Sequence, residues 1–296
     1  MMSDSGISVV RVGDWAGYEW LRHGFSTRVG GVSTVYGDGA LNLGWTKEDD
    51  AERVAENRRR FLRAVTGEMP SEAGMRLVTI RQVHSGVSQV VRAGDGAVEG
   101  RLETVEGKAV LEGDGLMTDV PGVMLGVGTA DCVPVLVADG RKRVVAAFHA
   151  GWRGTVARIV ERGVARMGEE YGSRPEDLVA AVGPSIGACC YSVGEEVRGV
   201  GTRDEVYARA SHDAPLRDDE TVAKRGHPAS GAGLYLDLWE ANRRQLLDAG
   251  LRAEQISVVG ECTACVRNGR GERSYFSHRA ERGVAGRMLS VVGILG

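Results

Sequence analysis

The sequence predicts an α/β (α+β) fold in a single domain spanning residues 1–296. Three observations predict it. Short apolar runs of extended character recur from one end of the chain to the other, most of them closed by Gly or Asp. Segments with helical spacing of apolar residues fall between those runs in both halves, the pattern expected of helices laid on layered sheets. No linker, tandem repeat or shift of composition divides the 296 residues, although residues 201–233 are polar, charged and glycine-containing enough to form a variable excursion. Its His212 and His227 are expected to be bystanders.

Taken in order, residues 7–12 and 23–27 are extended pieces, the second leading into Arg28-Val29-Gly30-Gly31-Val32-Ser33. A glycine pair beside an arginine offers backbone N–H groups and a cation together, which suits an anion; the alternative is a surface turn. Asn42-Leu43-Gly44 precedes a helix over residues 49–65, whose Ala51, Val54, Ala55, Phe61, Leu62 and Val65 share a face and which Gly67 stops. Arg58, Arg59 and Arg60 fan out around that helix, so at most one or two can face a site. Residues 76–83 form a strand with His84 at its end, and Ser85-Gly86 turns into a strand over residues 87–91.

The stretch from Gly113 to Gly154 is the centre of the chain. Residues 123–129 are an apolar run with Ala130, Asp131 and Cys132 at its exit. Residues 133–138 continue extended, and Asp139-Gly140 turns the chain into residues 144–148, with His149 where that strand stops. A thiol and an imidazole at the ends of neighbouring buried strands are held rigidly, as a metal site or a Cys/His catalytic pair requires. Residues 155–167 carry Val156, Ile159, Val160, Val164 and Met167 at helical spacing, and that helix N-terminus would favour negative charge.

Beyond it, residues 179–182 form a strand that breaks at Gly183-Pro184-Ser185-Ile186-Gly187. Cys189 and Cys190 are read as buried structural thiols, because adjacent cysteines do not easily chelate one ion. A helix follows Asp237, with Leu238, Ala241, Gln245, Leu246 and Ala249 on one side and Gly250 as its stop. Residues 256–259 are a strand. Cys262-Thr263-Ala264-Cys265 has zinc-knuckle spacing but no accompanying CxxC or HxxxH, which makes it a weak motif. Residues 274–279 and 288–294 are read as extended.

Composition narrows the function. The 37 basic and 40 acidic side chains leave a net charge of -3, which gives no reason to expect nucleic acid or an anionic membrane as partner. Asp4, Arg11, Asp14 and Glu19 interrupt the first twenty residues, and the apolar stretch over residues 120–130 is too short to span a bilayer. Five cysteines point to reduced thiols and a cytoplasmic location. P-loop, dinucleotide, HExxH and zinc-deaminase signatures are absent from the sequence.

Six ordered motifs carry a resemblance. Arg81-Gln82-Val83-His84, Gly113-Asp114-Gly115-Leu116-Met117-Thr118, Ala130-Asp131-Cys132-Val133-Pro134, His149-Ala150-Gly151-Trp152-Arg153-Gly154, Gly183-Pro184-Ser185-Ile186-Gly187 and Leu236-Asp237-Leu238 resemble the YfiH family, also called laccase-domain, polyphenol oxidase or peptidoglycan editing factor proteins. The likeness runs from about His23 to Ile294 and includes Thr27-Arg28, Asn42-Leu43-Gly44 and Asn57-Arg58. It implies a layered α/β/β/α sandwich with mixed sheets and a zinc ion on His84, Cys132 and His149. It also implies phosphorolysis of adenosine, inosine, guanosine and methylthioadenosine, and hydrolytic deamination of adenosine. Purine nucleosides and phosphate are then the partners, and a monomer is favoured. The sequence departs from the family pattern at Ser192, where glutamate is expected, and at Ala280 and Glu281, where an arginine and a shorter acid are expected.

A thiolate and two neutral imidazoles leave tetrahedral Zn²⁺ one open position, where bound water reaches a pKa of about 7. Phosphate is already anionic, so it needs positioning; Arg58, with Arg28 second, is the expected clamp, and Asn42 the expected ribose or phosphate hydrogen-bond partner. Rival readings are a copper-dependent polyphenol oxidase, a Cys132/His149 cysteine hydrolase acting in cell-wall precursor editing, and a structural zinc protein with a fourth ligand.

Overall fold

Two sheets stacked face to face carry the chain, and the computed structural model describes residues 6–67, 75–104, 107–194, 197, 216–217 and 234–296. The first sheet runs β1 (Val9–Val10), β2 (Leu21–Ser26), β15 (Met288–Ile294), β7 (Val123–Thr129) and β4 (Arg76–Thr79). The second runs β14 (Ile256–Val258), β10 (Leu178–Val182), β8 (Val133–Asp139), β9 (Val144–Ala150), β6 (Gly115–Thr118) and β5 (Ser88–Val91). Both are mixed: β4 with β7, β5 with β6 and β10 with β14 pair in parallel, and the other neighbours are antiparallel. A small sheet of β11 (Ser192–Val193), β13 (Leu234–Leu236) and β12 (Leu216–Arg217) and the separate strand β3 (Val29–Ser33) complete the strands.

Helices cover both outer faces. α1 (Ala51–Thr66) packs Phe61 and Val65 against Leu77, Met124 and Leu289 of the first sheet. α3 (Ile159–Tyr171) and α4 (Leu238–Asp248) pack Ile159, Val160, Val164 and Leu246 against Val133, Val135 and Val137 of the second. The opposite side chains of the same strands, Leu125 and Val127 from β7 and Leu136 and Ala138 from β8, meet between the sheets. This is the expected α/β/β/α layering. With both faces covered, the central strands read as unbroken apolar runs rather than as alternation, and each buried Val or Leu contributes about 1.5–3 kcal/mol. Helix ends follow local chemistry: the Asp50 carboxylate accepts from the Glu52 and Arg53 N–H groups, and Gly67 ends α1 with a φ of 77°.

The structure corrects several element boundaries. The helix read over residues 155–167 is two, α2 (Trp152–Val156) and α3, because Arg158 adopts a left-handed backbone, φ 55°, and ties its guanidinium to Asp248 of α4 at 2.8 Å. The apolar spacing runs through that break, so it was invisible in the sequence. The extended run read over residues 274–279 is a loop: the Phe276 N–H donates to Met288 Sδ and the Ser277 N–H to Glu281 Oε2, not to a strand. Strand β4 stops at Thr79, well short of His84. The excursion over residues 201–233, with His212 and His227, lies outside the described residues apart from β12. No helix among the described residues is long and apolar enough to cross a membrane.

Candidate functional site

The hairpin of β8 and β9 brings the first two donors together by register. Val133 faces Ala150 and Pro134 faces His149, so Cys132 falls beside Gly151 at the open end of the ladder. Cys132 also marks the crossing from β7 in one sheet to β8 in the other. A side chain at position 151 would place its Cβ 2.8 Å from Cys132 Sγ and 3.2 Å from a His84 ring carbon, so glycine is required there. His149 is the penultimate residue of β9 and is 3% exposed. Across from it, β6 pairs Gly115 with Phe148, which sets Asp114 opposite His149. The His149 N–H donates to the Asp114 carbonyl at 2.7 Å, and His149 Nδ1 donates to Asp114 Oδ1 at 2.8 Å. That bond leaves Nε2 as the free donor atom, the arrangement that orients metal-ligating histidines.

His84 arrives on a loop that Asp114 also holds. The fully buried Asp114 carboxylate accepts from the N–H groups of Val83 at 3.3 Å, His84 at 3.0 Å and Ser85 at 2.5 Å, and from Ser85 Oγ at 2.8 Å. Gln82 docks the loop on β7 by donating to the Gly128 carbonyl at 2.7 Å and accepting from the Gly128 N–H at 2.8 Å. These bonds keep His84 in a left-handed conformation, φ 60°. Asp131, just before Cys132, has φ 93°. Its strain, of order 1–3 kcal/mol, is offset by bonds from Thr263 Oγ1 and the Arg279 N–H, both at 2.7 Å, and from the Ile186 N–H at 2.9 Å.

The ligand atoms of His84, Cys132 and His149 lie within 4.8 Å of one another, with Cys132 Sγ 3.9 Å from His84 Nε2 and the two rings edge to face at 4.9 Å. Burial alone would push the Cys132 thiol up, but hydrogen bonds and charge from His149 and His84 bring it down to about 6. Burial disfavours a charged His149, yet Asp114 and Cys132 lift it to about 9. Burial also opposes ionisation of Asp114, and its bonds to His149 and Ser85 hold it at about 2. The metal-free chain thus holds a thiolate beside an imidazolium, and a metal ion would replace the imidazolium proton. The donor set fits a divalent metal: bonds of ~2.0–2.3 Å to N and S set tetrahedral donors roughly 3.3–3.8 Å apart. Among the described residues no fourth His, Cys or carboxylate joins the group.

A cavity of about 810 Å³ opens onto the three donors. Arg58, Arg81, Lys108, Arg279 and Arg287 stand on its wall with Trp45 and Tyr191. Arg58 faces the cavity: its guanidinium lies 4.7 Å over Trp45, Nε donates to the Leu43 carbonyl at 2.9 Å, and burial lowers its pKa to about 10, leaving it charged at neutral pH. Arg28 is elsewhere. It pairs with Glu281 at 2.9 Å, donates to the Tyr36 carbonyl and lies over Phe276, beside a second cavity of about 330 Å³. The Gly30 and Gly31 N–H groups both go to the Gly39 carbonyl, so the anion reading of that turn fails. Asn42 is fully buried and does not line the large cavity; it donates to Asp49 at 2.7 Å and accepts from the Gly44 and Arg287 N–H groups. It positions Arg287 rather than touching a ligand.

Asp114, Tyr191, Arg279 and Arg287 were missed. Asp114 had a signal, since an acid flanked by glycines before an apolar run can sit opposite a strand-end histidine; Arg279 matches an arginine of the family's terminal motif beside Ala280 and Glu281, and Tyr191 and Arg287 arrive on loops with none. Of the departures, Glu281 accepts from the Ser277 N–H and pairs with Arg28, and Ser192 accepts from Nη1 of the cavity-wall Arg279 at 3.0 Å.

These features define a class, a four-layer sandwich with a three-donor centre at one end of the sheet interface. The family described as multi-copper polyphenol oxidoreductase laccase matches residues 22–295, and the chain belongs to it; this is the YfiH family resembled by the motifs. Among curated relatives, the purine nucleoside phosphorylase YlmD of Geobacillus stearothermophilus is 36% identical over 284 residues, 93% of this chain and 94% of that protein. Adenosine deaminase RL5, from an unknown prokaryotic organism, is 34% identical over 256 residues, 86% and 87% of the two chains. The crystal structure of the Bacillus licheniformis hypothetical protein YfiH superposes with a TM-score of 0.79 at 30% identity, covering 97% of this chain and 96% of that one.

Proposed function

We propose that the chain is a zinc-dependent purine nucleoside enzyme that phosphorolyses adenosine, inosine, guanosine and methylthioadenosine and hydrolytically deaminates adenosine. One observation carries this reading: the three donors and a wall of cations share one cavity of about 810 Å³, within the ~300–1,000 Å³ typical of small-molecule sites. The names of the YlmD and RL5 relatives support both reactions. His84, Cys132 and His149 would hold Zn²⁺, which when bound would supply Lewis acidity at the cavity.

In phosphorolysis a phosphate oxygen bonds to C1′ of the ribose as the C1′–N9 bond breaks; the purine leaves with the bonding pair and takes a proton. Arg58, fixed by Trp45 and the Leu43 carbonyl, holds the phosphate, and Arg287 and Lys108 add charge to the same wall. Burial pushes Tyr191 up to about 12, so its hydroxyl stays protonated and can donate to the departing base. In deamination water adds to C6, the amino group departs as ammonia, and inosine remains. Asp114 acts through His149 and the His84 loop, keeping both imidazoles aimed at one point.

The family description favours a second reading, copper-dependent oxidation of phenols. A multicopper centre needs more imidazoles than the two that converge here, and the chain has six histidines in all. Metal-replete protein incubated with adenosine and with inosine, with and without phosphate, separates the readings. Free base and ribose 1-phosphate that appear only with phosphate, and ammonia from adenosine without it, are expected. Oxidised phenol with neither purine product would overturn the proposal.

A further inference from the structure

The described residues hold a second group of metal-ligating side chains outside the cavity. The sulfurs of Cys189, Cys190, Cys262 and Cys265 all lie within 4.8 Å of one another, and those of Cys189 and Cys265 are 3.7 Å apart. None of the four lines the large cavity, and all are thiols in this structure. The sequence reading kept the two pairs apart, taking the adjacent cysteines as poor chelators and the CxxC as lacking a partner. The fold supplies the partner. Ser185 bridges Cys262 in parallel register, which lays the loop leaving β10 alongside the loop leaving β14. The Cys190 and Tyr191 N–H groups both return to the Gly187 carbonyl, curling the chain so that neighbouring side chains face the same way. The Val266 N–H returns to the Cys262 carbonyl at 3.0 Å and closes the CxxC turn, while the Gly187 N–H donates to Cys262 Sγ at 3.3 Å. Backbone donors to ligand sulfur are the surroundings a metal-thiolate turn needs.

We propose that Cys189, Cys190, Cys262 and Cys265 bind a second divalent cation, of the zinc class, in a closed four-sulfur site. Four sulfurs on tetrahedral Zn²⁺ with bonds of ~2.3 Å stand roughly 3.8 Å apart, which the Cys189–Cys265 pair matches at 3.7 Å and the other pairs approach within 4.8 Å. A disulfide instead needs ~2.05 Å between sulfurs. Four protein ligands leave no open position, so the site is structural. It staples the two loops that carry Tyr191 and Arg279 to the cavity. Thr263, inside the CxxC turn, donates to Asp131 at 2.7 Å, and Asp131 precedes Cys132, so the closed site braces the turn that presents the open one.

The test is metal content of protein prepared with zinc chloride as the sole added metal under reducing conditions and then freed of loose ions. Wild type is expected to hold about two equivalents. His84→Ala/Cys132→Ser leaves the four cysteines untouched and is expected to keep about one, whose X-ray absorption shows sulfur neighbours alone. Cys262→Ser/Cys265→Ser is expected to lose the other equivalent and keep the one at the cavity. If that variant does not fold, the first variant decides. One equivalent in wild type that vanishes in His84→Ala/Cys132→Ser, or a residual ion there with nitrogen neighbours, would overturn the proposal.

Discussion

At the cavity, two imidazoles and a thiol meet with space beside them; behind Asp131, four thiols face one another and none of them lines that cavity. Both groups sit where strands of the second sheet end. The difference is in donors and access. Three mixed N and S donors leave a metal a position for substrate, whereas four sulfurs complete its shell. The open group is backed by a buried carboxylate that holds two of its three donors, as a centre that must keep its geometry through turnover requires. The closed group is held by backbone turns.

Predictions that break or sharpen this contrast can be ordered by their effect on activity. Cys132→Ala should abolish both purine reactions and remove the metal from the cavity without touching the four-cysteine group; product analysis and metal content read both, and retained phosphorolysis would break the contrast. Asp114→Asn removes the charge behind His149 and should weaken metal binding at the cavity by about 10–100-fold, seen in competition with a chelator. An unchanged affinity would make Asp114 a loop anchor alone. Arg58→Ala should raise the phosphate KM by about 10–100-fold, the loss of a charged hydrogen bond worth ~1.5–3 kcal/mol, and leave phosphate-independent deamination as it was. An unaltered phosphate KM would contradict the clamp.

His23 supplies the smallest effect on activity and a control for the carboxylate-backed histidine. It is buried against Trp15, its Nε2 accepts from the Val12 N–H, and burial, with Arg11 nearby, depresses its pKa to about 4. The unfolded chain takes up that proton near 6.5 and the folded chain does not. The neutral ring's contribution is therefore intact above pH 6.5 and is lost as pH falls toward 4, about 3 kcal/mol in all. Denaturant titrations across that window should show the loss in wild type and a shallower one in His23→Gln; equal slopes would refute it.

Most of the layered fold was legible, because strands buried on both faces leave dense apolar runs: β7 and β15 fall where the sequence put them, and Asp50, Gly67 and Asp237 mark their helix ends. The failures share a cause. The loop over residues 274–279 and the break at Arg158 are set by distant partners, Met288, Glu281 and Asp248, that local periodicity does not encode. In the site, hairpin register made Cys132 and His149 readable, while helix geometry left Arg58, Arg59 and Arg60 undistinguished and Arg58 was singled out by the Asn57-Arg58 motif and its residue type. Arg28 and Asn42 could not be told from ligand-facing residues, since an arginine paired with Glu281 and an asparagine bound to Asp49 look identical in sequence to free ones. The four cysteines were readable one pair at a time but not as a group, because they are joined by long-range pairing of the two loops, Ser185 with Cys262 and Gly187 with the Cys262 sulfur, that local sequence does not encode.

The most direct test of the open centre is an anomalous-difference map at the zinc edge from crystals of the metal-replete protein. The account predicts a peak bonded to His84 Nε2, Cys132 Sγ and His149 Nε2, with its remaining position turned toward Arg58 and the cavity. An ion there with a fourth protein ligand, or density in the cavity with the three side chains left unbonded, would contradict it.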